Sequence, residues 1–339
     1  MGYPGKFRLK LFIAGLVWAA LALLSGCAVT QNAGQRMANL ALRTQGEYYL
    51  SQGKYQEGIV AFTPEADRQS ANADLHYYLG RCHLALEQIE AGRNHLTQAF
   101  ELDPANADFC FWLGMARGAA GHPRRERQTY TRCLELDPQH PLTLIYLGHN
   151  LLNARRYEAA LSLYQRGLAQ LPTHPQALYN RAFALDRLGR TPEALTAGKI
   201  YLAYYPDGPF ARRAVAHLNR HGDFEYRLYR IGKRRLAMPR LGFLPLSDQI
   251  DSVSGQTLDR LGRILSQGPE LNLQIICYQK NNPALAKARA LQLKATLLKQ
   301  HPSLGPARIQ TSWFQVPQEL TLGGRTHHLD SSVQLFSTP

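Results

Sequence analysis

The side chains best suited to chemistry in this chain are five cysteines, twelve histidines and 25 carboxylates. Their spacing assembles no catalytic constellation: there is no Gly-x-Ser-x-Gly elbow, no HExxH pair and no phosphate-binding glycine loop. His327-His328-x-Asp330 comes nearest to a metal cluster, but adjacent residues of an extended segment point to opposite faces and make poor co-ligands. It reads as a surface turn. The cysteines form no CxxC pair and none stands at zinc-ligand spacing with histidines. The expectation is therefore no enzyme, no cofactor and no metal, with Cys82 and Cys277 as core residues. Cys27 differs in its setting. Basic Lys6, Arg8 and Lys10 precede an apolar run from Leu11 to Leu24, which stops at Ser25-Gly26-Cys27. That is the pattern of an export signal, and a run of about fourteen residues is short of the roughly twenty that span a bilayer.

Leu24-Ser25-Gly26-Cys27 resembles the lipobox of bacterial lipoproteins. The resemblance implies cleavage after a signal peptide over residues 1–26, acylation of Cys27 and a lipidated tether over 27–38. Acyl chains anchor without spanning, since each buried methylene adds about 0.8 kcal/mol. Ala28 and Val29 follow the cysteine with no Asp, which in Gram-negative lipoproteins resembles the outer-membrane default, facing the periplasm.

The elements that follow are set by a period. Gly46, Gly80, Gly114 and Gly148 are 34 residues apart, with Ala182 continuing the series, and Pro104, Pro138, Pro172 and Pro206 keep the interval. This resembles the tetratricopeptide repeat, a helix-turn-helix unit, over Asn39 to Pro206. The small residue lets the first helix of each unit approach the second, and the proline ends the second helix because it lacks the N–H donor. In the first repeat, Thr63-Pro64 is expected to interrupt the second helix. Phe210 to Arg220 reads as an amphipathic helix capping the open end of the stack, so the solenoid with its cap covers 39–221.

In such solenoids the resemblance places the functional side chains on the concave face of each first helix. Carried across, it names Tyr77, Arg81 and Leu84, then Phe111 and Met115, then Leu142, Ile145, His149 and Leu152, then Tyr179, Phe183, Asp186 and Arg187. This set is largely apolar, and a contiguous exposed apolar patch marks an interaction site. It is expected to hold an envelope protein as an extended peptide or amphipathic helix; the alternative is cover by the protein's own N-terminal segment or C-terminal domain. Cys110 and Cys133 fall in one repeat at similar height on antiparallel helices, either as a disulfide or as two small buried thiols.

Tyr226 to Arg240 holds six basic residues and no acid: Arg227, Arg230, Lys233, Arg234, Arg235 and Arg240. It reads as a basic linker over 222–240. Beyond it the pattern turns to mixed α and β: helix Ser252–Leu265, strand Leu271–Tyr278, helix Ala284–Gln300, and strands Arg308–Phe314 and Ser332–Phe336. That order resembles the peptidoglycan-binding domain of OmpA-like proteins, here a degenerate one over 241–339. Leu285-Ala286-Lys287-Ala288-Arg289-Ala290 stands where the family has Leu-Ser-x-x-Arg-Ala, so Arg289 falls on its ligand-binding arginine. The family's Gly-His-Thr-Asp stretch is replaced by Cys277-Tyr278-Gln279-Lys280, which lacks the acid and brings a positive charge.

The fold expected is thus mainly α, a solenoid of five repeats and a capping helix, followed by a small α+β domain. The chain has a net charge of +14. Removing Lys6, Arg8 and Lys10 with the signal leaves +11, six of them crowded into 226–240. Export sets nucleic acid aside as a partner. The function expected is an interaction scaffold in assembly of an envelope machine (pilus, secretion or outer-membrane protein assembly); the alternatives are a cell-wall tether or a regulator of a cell-wall enzyme.

Overall fold

The computed structural model describes residues 37–322 and 324–338. The signal, the lipobox and Cys27 lie outside the described residues. The chain divides into two compact units, Met1–Asn150 and Leu151–Pro339. Among the described residues no helix is long and apolar enough to cross a membrane.

The first unit is built from helix pairs: α1 (37–51) with α2 (Tyr55–Arg68), α3 (Ala73–Ala85) with α4 (Ile89–Leu102), α5 (Ala107–Ala119) with α6 (Pro123–Leu136), and the greater part of α7 (Pro141–Asn153). Each first helix starts on a side-chain cap that recurs every 34 residues. Asn72 Oδ1 accepts from the amides of Asp74 and Leu75, and Asn106 Oδ1 from those of Asp108 and Phe109. At the third such position His140 Nδ1 accepts from the Thr143 amide. These bonds satisfy amides that a helix start otherwise leaves unpaired. The periodic glycines act as expected where α3 meets α4 and α5 meets α6: a Cβ on Gly80 would overlap Leu96, and one on Gly114 would overlap the Tyr130 ring.

Pro64 does not interrupt α2, which runs through it to Arg68. Both Pro64 and Val60, whose carbonyl loses its donor, lie on the exposed side, where water can satisfy the freed group.

The second unit begins with the end of α7 and continues through α8 (Tyr157–Gln170), α9 (Pro175–Arg187), α10 (Thr191–Tyr204) and α11 (Ala211–Arg220). His174 Nδ1 caps α9 by accepting from the Ala177 amide, 34 residues after His140. α11 buries Ala214, Val215 and Leu218 and packs on α10.

The α+β region follows, as β1 (Tyr226–Ile231), β2 (Arg234–Pro239), α12 (Ser252–Gln267), β3 (Asn272–Gln279), α13 (Pro283–Gln300), β4 (Ile309–Phe314), β5 (Gln318–Leu322), β6 (Arg325–Leu329) and β7 (Ser331–Thr338). Its main sheet has the order β2-β1-β7-β3-β4, with β1 and β7 parallel, β3 and β7 antiparallel, and β3 and β4 parallel. Leu258, Leu261 and Leu265 of α12 and Ala290, Leu293 and Leu297 of α13 bury against Leu273, Ile275 and Cys277 of β3.

Two expectations change here. The basic stretch is not a linker but the hairpin β1-β2, an edge of the sheet. Gly232-Lys233 forms its two-residue turn, with Ile231 opposite Arg234 and Gly232 at φ 60°; a type II′ turn reserves that first position for glycine. In β1, Arg227, Tyr229 and Ile231 are buried while Arg230 is exposed. The alternation of period two was hidden by the density of charge. Likewise His327-His328 is not in a turn but in β6, paired antiparallel with β5.

Candidate functional site

Three of the residues expected to line a groove are buried: Tyr77 is 8% exposed, Phe111 2% and Ile145 0%. The expectation of an apolar groove on these side chains is corrected. Tyr77 packs on Tyr78 and Phe109, with ring centroids 5.0 and 4.8 Å apart, and Phe111 is enclosed by Trp112, Tyr130, His140 and Tyr146. Repeat-to-repeat stacking consumes them, because burying a large ring within the stack gains more than leaving it in water.

What this face keeps accessible in the first unit is polar and aromatic. Arg81 of α3 donates to Tyr77 Oη (2.9 Å) and to Glu47 Oε1 of α1 (3.1 Å). Its guanidinium lies over the Trp112 ring of α5, 4.4 Å from the centroid. Three consecutive first helices thus contribute to one cation site. Trp112 and Met115, one turn apart on α5, are half-buried, as are His149 and Leu142 of α7. Burial pushes the Tyr77 hydroxyl up to about 12, so it stays protonated. Glu47 and Trp112 were missed in the sequence; the 34-residue spacing of Glu47 and Arg81 was the signal that pairs the first two.

In the second unit the same helix positions fare differently. Tyr179 is stacked on Phe210, with centroids 4.4 Å apart at 12°, so part of the chain's own capping segment covers it. Phe183 is 40% exposed, with the Arg187 guanidinium 6.0 Å from its ring centroid. Asp186 faces His217 and His221 of α11.

Cys110 and Cys133 are joined as a disulfide between α5 and α6, with Cα atoms 5.5 Å apart. Cys82 and Cys277 are free and buried, and burial pushes the Cys277 thiol up to about 12, which leaves it unreactive.

Arg289 lies on a cleft of about 1040 Å³ shared with Arg227, Arg240, Phe243 and Ser331. It is 6% exposed, lies 4.7 Å from the Phe243 ring centroid, and donates to the Ser247 carbonyl (2.8 Å), to Gln279 Oε1 and to Ser331 Oγ (2.8 Å). Arg227, 9% exposed, donates to Ser332 Oγ (2.6 Å) and Gln318 Oε1 (3.0 Å). Neither arginine makes an ion pair with a carboxylate among the described residues. Burial lowers the pKa of both guanidiniums, but from so high a starting value that both stay charged. Lys280 pairs with Asp330 at 3.4 Å. Arg227 was hidden in the presumed linker.

Residues 43–93 and 147–209 match one tetratricopeptide-repeat family, and residues 107–140 match a second description of the same repeat. The chain carries tetratricopeptide repeats. No curated protein matches it. Among solved structures, it is similar to MamA (18% identity, 47% of this chain and 93% of that one, TM-score 0.43) and to YrrB, described as a repeat protein with an unusual peptide-binding site (20%, 50% and 87%, TM-score 0.42). A MamA from Desulfovibrio magneticus RS-1 gives 19% identity over 44% of this chain and 86% of that one, with a TM-score of 0.41.

Proposed function

We propose that the repeats dock a segment of another protein, and that the chain is a scaffold and not a catalyst. The observation that carries this reading is the Arg81 site. A partly open guanidinium rests on an aromatic ring, with the Met115 thioether one turn from that ring. Such a site accepts a carboxylate beside an apolar side chain, the chemistry of an extended or helical peptide carrying both. The Glu47 carboxylate is 59% exposed, and an exposed ion pair is worth about 0–1 kcal/mol, so a partner can replace it at little cost. The partner is taken to be an envelope protein and the setting an outer-membrane lipoprotein acting in assembly of a pilus, secretion or outer-membrane protein machine; the residues around Cys27 support the anchor.

A photo-crosslinker at Met115, followed by mass spectrometry, is expected to capture one partner in cells, and Arg81→Glu to reduce that capture by about tenfold or more with helical content unchanged, the loss of one charge-assisted contact. Unchanged capture sinks the docking reading. Phe111 and Ile145 are unsuitable for this test because a charge at either buried position would unfold the repeat. For the anchor, Cys27→Ala is expected to release the protein from membranes and stop palmitate labelling.

A cell-wall tether is the second reading, favoured by the two arginines on the cleft without carboxylate partners, since such a cleft suits an anionic ligand, and by the OmpA-like resemblance around Arg289. Co-sedimentation with purified sacculi, lost on Arg289→Lys, supports it; no sedimentation removes it.

A further inference from the structure

His217 and His221 are four residues apart at the end of α11, which places both imidazoles on one face of the helix. Asp186 on α9 meets that face. Its Oδ1 lies 3.6 Å from His217 Nε2 and 3.9 Å from His221 Nε2, and the two imidazole centroids are 4.8 Å apart. One donor atom from each of the three residues falls within 4.8 Å of the other two. These separations are too long for hydrogen bonds. They suit three ligands of one ion: donors about 2.0–2.1 Å from a tetrahedral centre stand about 3.3 Å apart, so a contraction of a few tenths of an ångström would close the shell.

His217 supplies a second, independent indication. Its Nε2 is buried and has no hydrogen-bond partner, a cost that native structures seldom leave unanswered. Burial also holds this imidazole below the ordinary histidine range, so it is neutral at pH 7 with a lone pair to donate, the form a metal requires. Asp186 brings one negative charge against the opposing Arg220. All three side chains are about one-fifth to one-third exposed, which leaves room for water at an open position.

We propose that Asp186, His217 and His221 form a binding site for a divalent transition-metal ion of the zinc class. Two neutral imidazoles and one carboxylate hold the ion, and water completes its coordination. Since Asp186 stands on the first helix of the last repeat and the histidines on the capping helix, the ion clips the cap to the repeat. The sequence reading expected no metal because it looked for cysteine spacing; the His-x₃-His pair was the signal.

The test titrates the full chain with Co²⁺, read by its d–d absorption, and then with Zn²⁺ in competition at pH 7.5. One equivalent of Co²⁺ is expected to bind without a thiolate charge-transfer band. His221→Ala, at the more exposed histidine, and Asp186→Asn are each expected to weaken binding by at least the roughly 10–100-fold that loss of an outer-shell partner costs. Zn²⁺ should raise the melting temperature of the wild type and leave that of His221→Ala unchanged. The double variant His327→Ala, His328→Ala should bind as the wild type does. Uptake by neither ion in the wild type, or unchanged affinity in both His221→Ala and Asp186→Asn, overturns the proposal.

Discussion

The repeats and the α+β region hold their buried polar and aromatic groups in place over very different lengths of chain. In the repeats, Cys110 meets Cys133, 23 residues on, Glu47 meets Arg81, 34 residues on, and Gly114 receives Tyr130. In the α+β region, buried Arg227 reaches Ser332 and the Gly232 amide reaches Ser337, each 105 residues on. A repeat pays loop-closure entropy in small local steps, whereas the sheet must bring β1 and β7 together before either gains from pairing. Damage should therefore stay local in the first and spread in the second. The two tryptophans beyond the signal, Trp112 and Trp313, lie one in each region, so tryptophan fluorescence of single-tryptophan variants reads each separately.

The largest effect is expected at the centre of the sheet. Ile275 of β3 is 0% exposed, and Ile275→Ala should cost about 3 kcal/mol through lost burial and a cavity. Urea unfolding reported by Trp313 should shift to lower denaturant while that reported by Trp112 stays in place; a joint shift would show that the two regions unfold as one. A smaller and more confined loss is expected from Gly114→Ala, about 2 kcal/mol, because the added methyl overlaps the Tyr130 ring and the ring must move. Here only the Trp112 transition should shift, and an unchanged midpoint would mean that the close approach of α5 and α6 is not needed.

The smallest effect is a dependence on pH confined to the repeats. His95 stacks against His76 and His83, and burial, with those two neighbours, pushes it down to about 4. An unfolded histidine titrates near 6.5. Above that value both states are neutral and the contribution is fully present. As pH falls from about 6.5 towards 4, the unfolded chain takes up a proton that the folded one refuses, so stability declines across this window. For a half-exposed ring the loss between pH 7 and 5 should be about 1 kcal/mol after allowing for screening. His95→Gln should flatten the Trp112 midpoint over that range by this amount and leave the Trp313 midpoint unaffected; an equally steep profile in the variant would place the sensitivity elsewhere.

The site was legible only in part, for the same reason as the fold. The face carrying Arg81 and Met115 could be named from position within a repeat. Whether a side chain on that face lies open or enclosed depends on the neighbouring repeat, and Phe111 and Ile145 turn into the stack while Arg81 and Trp112 stay partly open. Arg227 was invisible for a different reason: six basic residues masked an alternating strand, and only pairing with β2 and β7 shows which of them point inward.

By itself, the sequence determined the 34-residue period, the small residues that bring paired helices together, the existence of α12, β3 and α13, and the export-like N-terminal pattern. Each of these is written in neighbours or in a fixed interval, and helix and strand periodicity act over a few residues. Tertiary structure alone decided which first-helix rings are buried, that 226–239 is a hairpin at the sheet edge, and that Asp186 meets His217 and His221 across two helices. Those outcomes depend on segments brought together from tens to more than a hundred residues apart, and side-chain burial is a property of the partner surface as much as of the residue itself.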